Sequence, residues 1–191
     1  VWIPAVEDMY PTGYQTWVEV TEITKPLEGR VRPGHFRGVT TIVSKLFNAS
    51  RPDRAYFGQK DAQQSAVIRQ MTRDLSYPVQ VIICPTLRDD DGLAKSSRNS
   101  YLDPIQRQAA VILFKALKAA KDAFEKGERN AERIRHLTEE IISSEPLAKL
   151  QYVSCADFET LQELNVINRK AILSLAVFIG KTRLIDNFIL G

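Results

Sequence analysis

Two hydrophobic periods run along this chain, one of about two residues and one of about 3.6, and their alternation predicts its elements. Val1 to Val6 predicts a short strand, Tyr10-Pro11-Thr12-Gly13 a turn, and the β-branched and aromatic residues of Thr16 to Thr21 a second extended segment, together a hairpin-type element. After a loop from Leu27 to Gly38, residues Val39, Ile42, Val43, Leu46 and Phe47 share one helical face, and Arg51-Pro52-Asp53 ends that helix. A strand at Ala55 to Phe57 follows, then a helix from Asp61 to about Leu75 that buries Val67, Ile68, Met71 and Leu75, then an apolar strand from Val79 to Cys84. Strand, helix and strand in that order predict a parallel sheet.

Past Arg98 the pattern changes. Asp103-Pro104 reads as a helix cap and first helical residue, and Ile105, Ala109, Ile112, Leu113, Ala116, Leu117, Ala120 and Phe124 make one long apolar stripe that Gly127 stops. A second helix is expected from Asn130 to about Ser143. Three short strands follow, Leu150 to Cys155, Ala171 to Ile179 and Thr182 to Ile189, in a small antiparallel sheet with the helices on one side. The chain is therefore read as α/β, with a nucleotide-binding part over residues 1–91 and a small α+β part over 92–191. Asp89 to Gly92, three acids and a glycine, are expected to form a flexible hinge.

Composition narrows the partners. The chain has 191 residues, enough for one large domain or two small ones, and its 44% hydrophobic content is ordinary for a soluble globular protein. Its 26 Lys and Arg against 23 Asp and Glu leave a net charge of +3, too little to argue for a nucleic-acid or membrane surface. No apolar run approaches the roughly 18 to 20 residues of a membrane span. Cys84 and Cys155 sit in apolar runs without CxxC spacing, so buried, reduced thiols and a cytoplasmic location are expected.

The candidate chemistry lies at the turn from strand to helix at Tyr56-Phe57-Gly58-Gln59-Lys60-Asp61-Ala62-Gln63-Gln64. Gly58 permits close backbone approach, the following helix points free N–H groups at the same place, and Lys60 adds positive charge. About thirty residues on, Gly92-Leu93-Ala94-Lys95-Ser96-Ser97-Arg98-Asn99 supplies a second group of cations and hydroxyls, suited to holding a polyphosphate from another side. Taken one at a time these features have plainer readings. Lys60 and Asp61 alone read as a solvated first helical turn, Ser96-Ser97 as a loop or cap, and Arg98 as a surface cation.

In order, Arg32-Pro33-Gly34-His35-Phe36-Arg37-Gly38-Val39, Lys45-Leu46-Phe47-Asn48, Pro52-Asp53, Phe57-Gly58-Gln59-Lys60-Asp61, Gln63-Gln64, Asp91-Gly92-Leu93-Ala94 and Ser96-Ser97-Arg98-Asn99 form a series that resembles the pantothenate synthetase (pantoate and β-alanine ligase) family along the whole chain. The resemblance implies a partial Rossmann-like nucleotidyltransferase domain followed by a small α+β lid, and a two-step, ATP-dependent joining of pantoate to β-alanine through a pantoyl-adenylate. It implies Lys60, Ser96, Ser97 and Arg98 as catalytic residues, and Gly58, Gln59, Lys60, Asp61, Leu87, Lys95, Ser96, Ser97 and Arg98 as ATP-binding residues. Gly58 and Asp61 would meet the ribose, and the Leu87 backbone the adenine. Gln64, one helical turn from Lys60, would hold pantoate. Mg2+ would arrive with ATP, no protein metal ligands are named, and a homodimer that uses Trp17 to Thr21 is implied.

Two departures matter. The only histidines are His35 and His136, so the His-x-Gly-His motif of the family is absent; Arg32-Pro33-Gly34-His35 only imitates it, and a loop or interface role is expected for His35 and a surface position for His136. The expectation is a C-terminal portion of the enzyme, inactive alone, an idea that the start at Val1 rather than Met also suggests. Lys95 stands where the family has an apolar residue, and either contacts phosphate or points to solvent. The alternatives are another nucleotidyltransferase, or a non-catalytic nucleotide-binding or dimerisation module.

Overall fold

Phe36 joins Val39, Val43 and Phe47 on one apolar face, so the first long helix starts a turn earlier than expected and takes in residues read as loop. The computed structural model describes residues 1–191, which gather into two units, 1–57 with 63–83 and 58–62 with 84–191. The elements run α1 (Val6–Met9), α2 (Glu28–Val31), α3 (His35–Ser50), β1 (Arg54–Gly58), a 3-10 turn (Gln59–Asp61), α4 (Ala62–Asp74) and β2 (Gln80–Cys84). A second 3-10 turn (Ser97–Tyr101), α5 (Pro104–Ala109), α6 (Ile112–Glu125), α7 (Ala131–Ser143), β3 (Ala148–Asp157), β4 (Ala171–Ile179) and β5 (Thr182–Leu190) complete the chain.

In the first unit β1 and β2 form the expected two-stranded parallel sheet. Phe47, Ile68 and Met71 make its core, with Val18, Val20, Val39, Val43, Phe57 and Tyr77 packed against them. The N-terminal expectations fail. Residues 1–5 form no strand, and Val6–Met9 is a helical turn whose entry Asp8 caps by accepting from the Ala5 N–H at 3.0 Å. Thr16 to Thr21 is not a hairpin strand either. The Val18 N–H donates to Thr41 Oγ1 at 3.0 Å and its carbonyl accepts from Thr40 Oγ1 at 2.5 Å, so hydroxyls of α3 replace a neighbouring strand.

In the second unit β3, β4 and β5 form an antiparallel sheet in that order, as expected. Central β4 is buried almost throughout, and Ala171, Leu173, Leu175, Val177 and Ile179 share a core with Leu113, Leu117 and Ala120 of α6 and Ile134 and Ile142 of α7. Asp103 caps α5 as predicted, its carboxylate accepting from the Gln106 N–H at 2.8 Å, and Asn130 caps α7 through the Arg133 N–H at 3.0 Å. The long stripe is two helices rather than one. At Ala110 and Val111 the bonds tighten to i→i+3, as in Leu113 N to Ala110 O at 3.2 Å, and Ile105 on the near side is left exposed.

Candidate active site

The first lip of the site is the turn Gly58–Asp61, between β1 and α4. Its position is set by a residue 127 places later: Asn187 of β5, buried, donates its amide to the carbonyls of Gln59 at 3.0 Å and Lys60 at 2.8 Å. The Gln59 amide returns a bond to Asn187 Oδ1 at 3.4 Å. The turn thus presents the Lys60 side chain while its carbonyls are held from beneath.

The second lip runs from Cys84 to Lys95. Arg88 and Ala94 form a narrow antiparallel bridge, in which the Lys95 N–H donates to Leu87 O at 2.8 Å and the Asp89 N–H to Leu93 O at 2.9 Å. Arg88 anchors the bridge with a two-pronged pair to Asp186 of β5, at 2.6 and 3.0 Å, and a third bond to the Gly92 carbonyl at 3.0 Å. Its guanidinium also lies 5.2 Å from the Phe114 ring centre and 4.8 Å from that of Phe188. The segment Asp89 to Gly92 is a fastened turn rather than a loose hinge. Arg107 bonds Asp91 at 2.8 Å and Asp89 at 3.0 Å, and its guanidinium beside Asp91 lowers that carboxyl's pKa. Gly92 is fixed too, at φ +91 with Phe114 where a Cβ would stand.

Between the lips lies a cleft of about 520 Å³ lined by Gly58, Lys60 and Asp61 on one side and Cys84 to Leu87 with Lys95 on the other. Two ammonium groups and one carboxylate therefore share a largely apolar hollow. Lys95 is well exposed, with its Nζ 3.6 Å from Asp89 Oδ1. The Thr86 hydroxyl oxygen in the wall is shielded from water and has no hydrogen-bond partner. Cys84 is half-buried rather than buried, while Cys155 is fully buried in the core and both are free.

The family model for Pantoate-beta-alanine ligase matches residues 1–189. The chain belongs to that family. It is 58% identical over 191 residues to the pantothenate synthetase of Herpetosiphon aurantiacus, covering all of this chain and 69% of the relative. It is 56% identical over 190 residues to that of Roseiflexus castenholzii, covering 68% of it. The crystal structure of the pantothenate synthetase from Thermus thermophilus matches with a TM-score of 0.93 at 43% identity, over 97% of this chain and 67% of that one. The pantoate-beta-alanine ligase of Francisella tularensis, complexed with beta-gamma ATP and β-alanine, matches with a TM-score of 0.72 at 35% identity, over 96% of this chain and 61% of that one.

Of the residues that the family resemblance singled out, the cleft brings together Gly58, Lys60, Asp61, Leu87 and Lys95. Gln59 turns instead to Asn187. Ser96, Ser97 and Arg98 do not line the cleft: Ser96 Oγ caps the second 3-10 turn by accepting from the Arg98 N–H at 3.2 Å, and Arg98 donates to the Arg183 carbonyl of β5 at 3.3 Å. Lys60 and Arg98 nevertheless share a support, since Asn187 and Arg183 lie four residues apart on β5, about 13 Å along the strand. Gln64 is a half-buried residue of α4 in the first unit; its neighbour Gln63 is the buried one, tying down the chain at Ile23, Pro26 and Glu28. His35 opens α3 instead of lying in a loop, with Nε2 3.1 Å from Arg32, and His136 is an exposed residue of α7, 3.4 Å from Glu140. Sequence reasoning missed Arg88, Asp186 and Asn187. Their one local signal is the polar pair Asp186-Asn187 inside an otherwise apolar strand end.

Proposed function

We infer that this chain works in the ATP-dependent condensation of pantoate with β-alanine to give pantothenate. A pantoate carboxylate oxygen attacks the α-phosphorus of ATP, the bond to the bridging oxygen breaks, and pyrophosphate leaves. The β-alanine amine then attacks the acyl carbon, the nitrogen loses its proton, and AMP leaves with the oxygen that bound pantoate. Both displacements build negative charge on phosphate oxygens, and fixed cations in a water-poor hollow stabilise such charge. The observation that carries the reading is the cleft itself, which Lys60 and Lys95 line together with exposed Leu87. Lys60 is assigned to the phosphates, Gly58 and Asp61 to the ribose, the Leu87 backbone to the adenine and Gln64 to pantoate. Ser96, Ser97 and Arg98 are assigned to the polyphosphate from their turn beside β5.

Mg2+ is proposed to be held chiefly by the oxygens of ATP and water, with Asp61 the carboxylate that lines the cleft. Bound there it would neutralise the departing pyrophosphate. A homodimer is supported by half-exposed Trp17, in edge-to-face contact with Tyr14 and beneath Arg37. A reducing, cytoplasmic setting is supported by the two free cysteines. The lid motion expected of residues 92–191 over 1–91 is proposed to pivot at the junctions between the two units, near residues 57, 62 and 83, instead of at the fastened turn 89–92; identical X-ray scattering with and without ATP and pantoate removes the lid.

The decisive assay is pantoate-dependent exchange of pyrophosphate into ATP. Lys60→Ala is expected to lower it at least a hundredfold, the scale on which loss of one fixed stabilising group acts. Lys95→Met is expected to weaken ATP binding about threefold, as an exposed cation does. Exchange without pantoate points to another nucleotidyltransferase, ATP binding without exchange to a non-catalytic module, and unchanged affinity in Lys95→Met removes that residue from the site.

A further inference from the structure

We propose that Asn187 is a positioning residue for the adenylation site, acting through Lys60. The inference rests on the nucleotide reading of the cleft and adds a residue that never faces it. Asn187 lies in β5 with 2% of its surface exposed, and both of its amide hydrogens have acceptors on another segment, the carbonyls of Gln59 and Lys60. Two carbonyl acceptors at these distances fix which side-chain atom is nitrogen, because an oxygen there would face two oxygens. The remaining Oδ1 accepts from Gln59, so the whole side chain is spent on the turn that carries Lys60 and Asp61.

The neighbouring residue does the same for the other lip. Asp186 accepts the Arg88 fork, and its Oδ1 also accepts the Asn187 N–H at 2.8 Å. Consecutive side chains of a strand point to opposite faces, so one dipeptide of β5 holds both walls of the cleft: Asp186 on the helix side through Arg88, Asn187 on the other through the 59–61 turn. A short turn is a poor support for an ammonium group that must meet a phosphate within a few tenths of an ångström. The strand beneath it, paired along its length to central β4, supplies the stiffness.

The test is calorimetric ATP binding, with hydrogen exchange of residues 58–62 as a second readout. Asn187→Ala is expected to weaken ATP binding about tenfold, the scale of two lost buried hydrogen bonds, and to speed exchange in 58–62. Asn187→Asp, of equal size but without the two donors, is expected to do at least as much. In the Lys60→Ala background Asn187→Ala is expected to cost clearly less than it does alone, what remains coming from Gly58 and Asp61 on the same turn. A variant of the same unit, Asp157→Asn, which loosens the β3–β4 connection, is expected to lower the melting temperature and leave ATP affinity as it was. Loss of affinity in Lys60→Ala with wild-type affinity in Asn187→Ala overturns the positioning role alone. So does an equal loss in Asp157→Asn, which makes the effect one of general stability, and so do additive losses in the double variant. Wild-type affinity in Lys60→Ala overturns the nucleotide reading and this inference with it.

Discussion

Replacing Asp186 by Ala tests the fork that holds the second lip. Asp186 is 2% exposed and Arg88 18%, so the pair is shielded and its loss acts as that of a buried ion pair. Removing one partner from such a pair costs about 3–5 kcal/mol, because the other charge stays behind without compensation. Asp186→Ala should lie near ~3 kcal/mol, since Arg88 keeps the Gly92 carbonyl and the faces of Phe114 and Phe188. Arg88→Met should cost more, ~4 kcal/mol, because the stranded carboxylate keeps little beyond the Asn187 N–H. The double variant Arg88→Met with Asp186→Leu should recover most of the stability, as apolar replacements of buried pairs often do. In urea, with a slope of about 2 kcal/mol per molar, the first variant should move the unfolding midpoint down by about 1.5 M. ATP affinity should behave differently: the double variant regains stability and still binds ATP weakly, because the bridge at Arg88 and Ala94 has lost its anchor. A cost below about 1 kcal/mol for Asp186→Ala, the range of an exposed pair, refutes the argument, and so does a stable double variant with wild-type affinity for ATP.

Two further predictions concern titrating groups. Burial raises the Asp157 carboxyl, but the N–H groups of Thr160 and Glu159, the Thr160 hydroxyl and Arg169 outweigh it and hold the pKa at about 2, against 3.8 for an ordinary Asp. Its contribution, roughly 2 kcal/mol, is therefore complete above the unfolded value and lost as pH falls through the folded one; Asp157→Asn should narrow the stability gap to wild type between pH 5 and about pH 2, and a gap independent of pH in urea unfolding refutes this. Burial pushes the Cys155 thiol up to about 11, so alkylation of the native protein should label Cys84 in the cleft first, and ATP at ten times its Kd should slow that labelling about tenfold; labelling of Cys84 at the same rate with ATP removes it from the nucleotide's reach.

What could be read from the sequence was whatever the chain settles within about four residues of itself. The cap at Asp103, the start of α7 after Asn130, the α4 face of Val67, Ile68 and Met71, and the strands flanking Gly180 all depend on local spacing, and all appear; Leu75, read onto that α4 face, instead lies past the helix end and is exposed. Thr16 to Thr21 shows the limit of that information. Its residues favour extended backbone, but propensity does not name the partner, and two threonine hydroxyls of α3 satisfied Val18 where a strand was expected. The break between α5 and α6 fails for a related reason: a stripe of apolar residues tolerates a tightened turn at Ala110 without losing its face, so periodicity carries on where the helix does not. At the cleft the division is sharper. Gly58, Lys60 and Lys95 announce themselves by residue type beside a strand end, whereas Asn187 and Asp186 touch residues 127 and 98 places away, and no local pattern encodes that register. Only the antiparallel pairing of β5 with β4, which sets Asp186 opposite Leu175 and Asn187 opposite Ser174, decides which of the two polar side chains joins the helices' face and which meets the 59–61 turn. A one-residue slip in that pairing would exchange them, leaving Arg88 without its carboxylate and the Lys60 turn beside a carboxylate that cannot donate. The two functional lips are thus registered by the same ladder of hydrogen bonds that closes the C-terminal sheet.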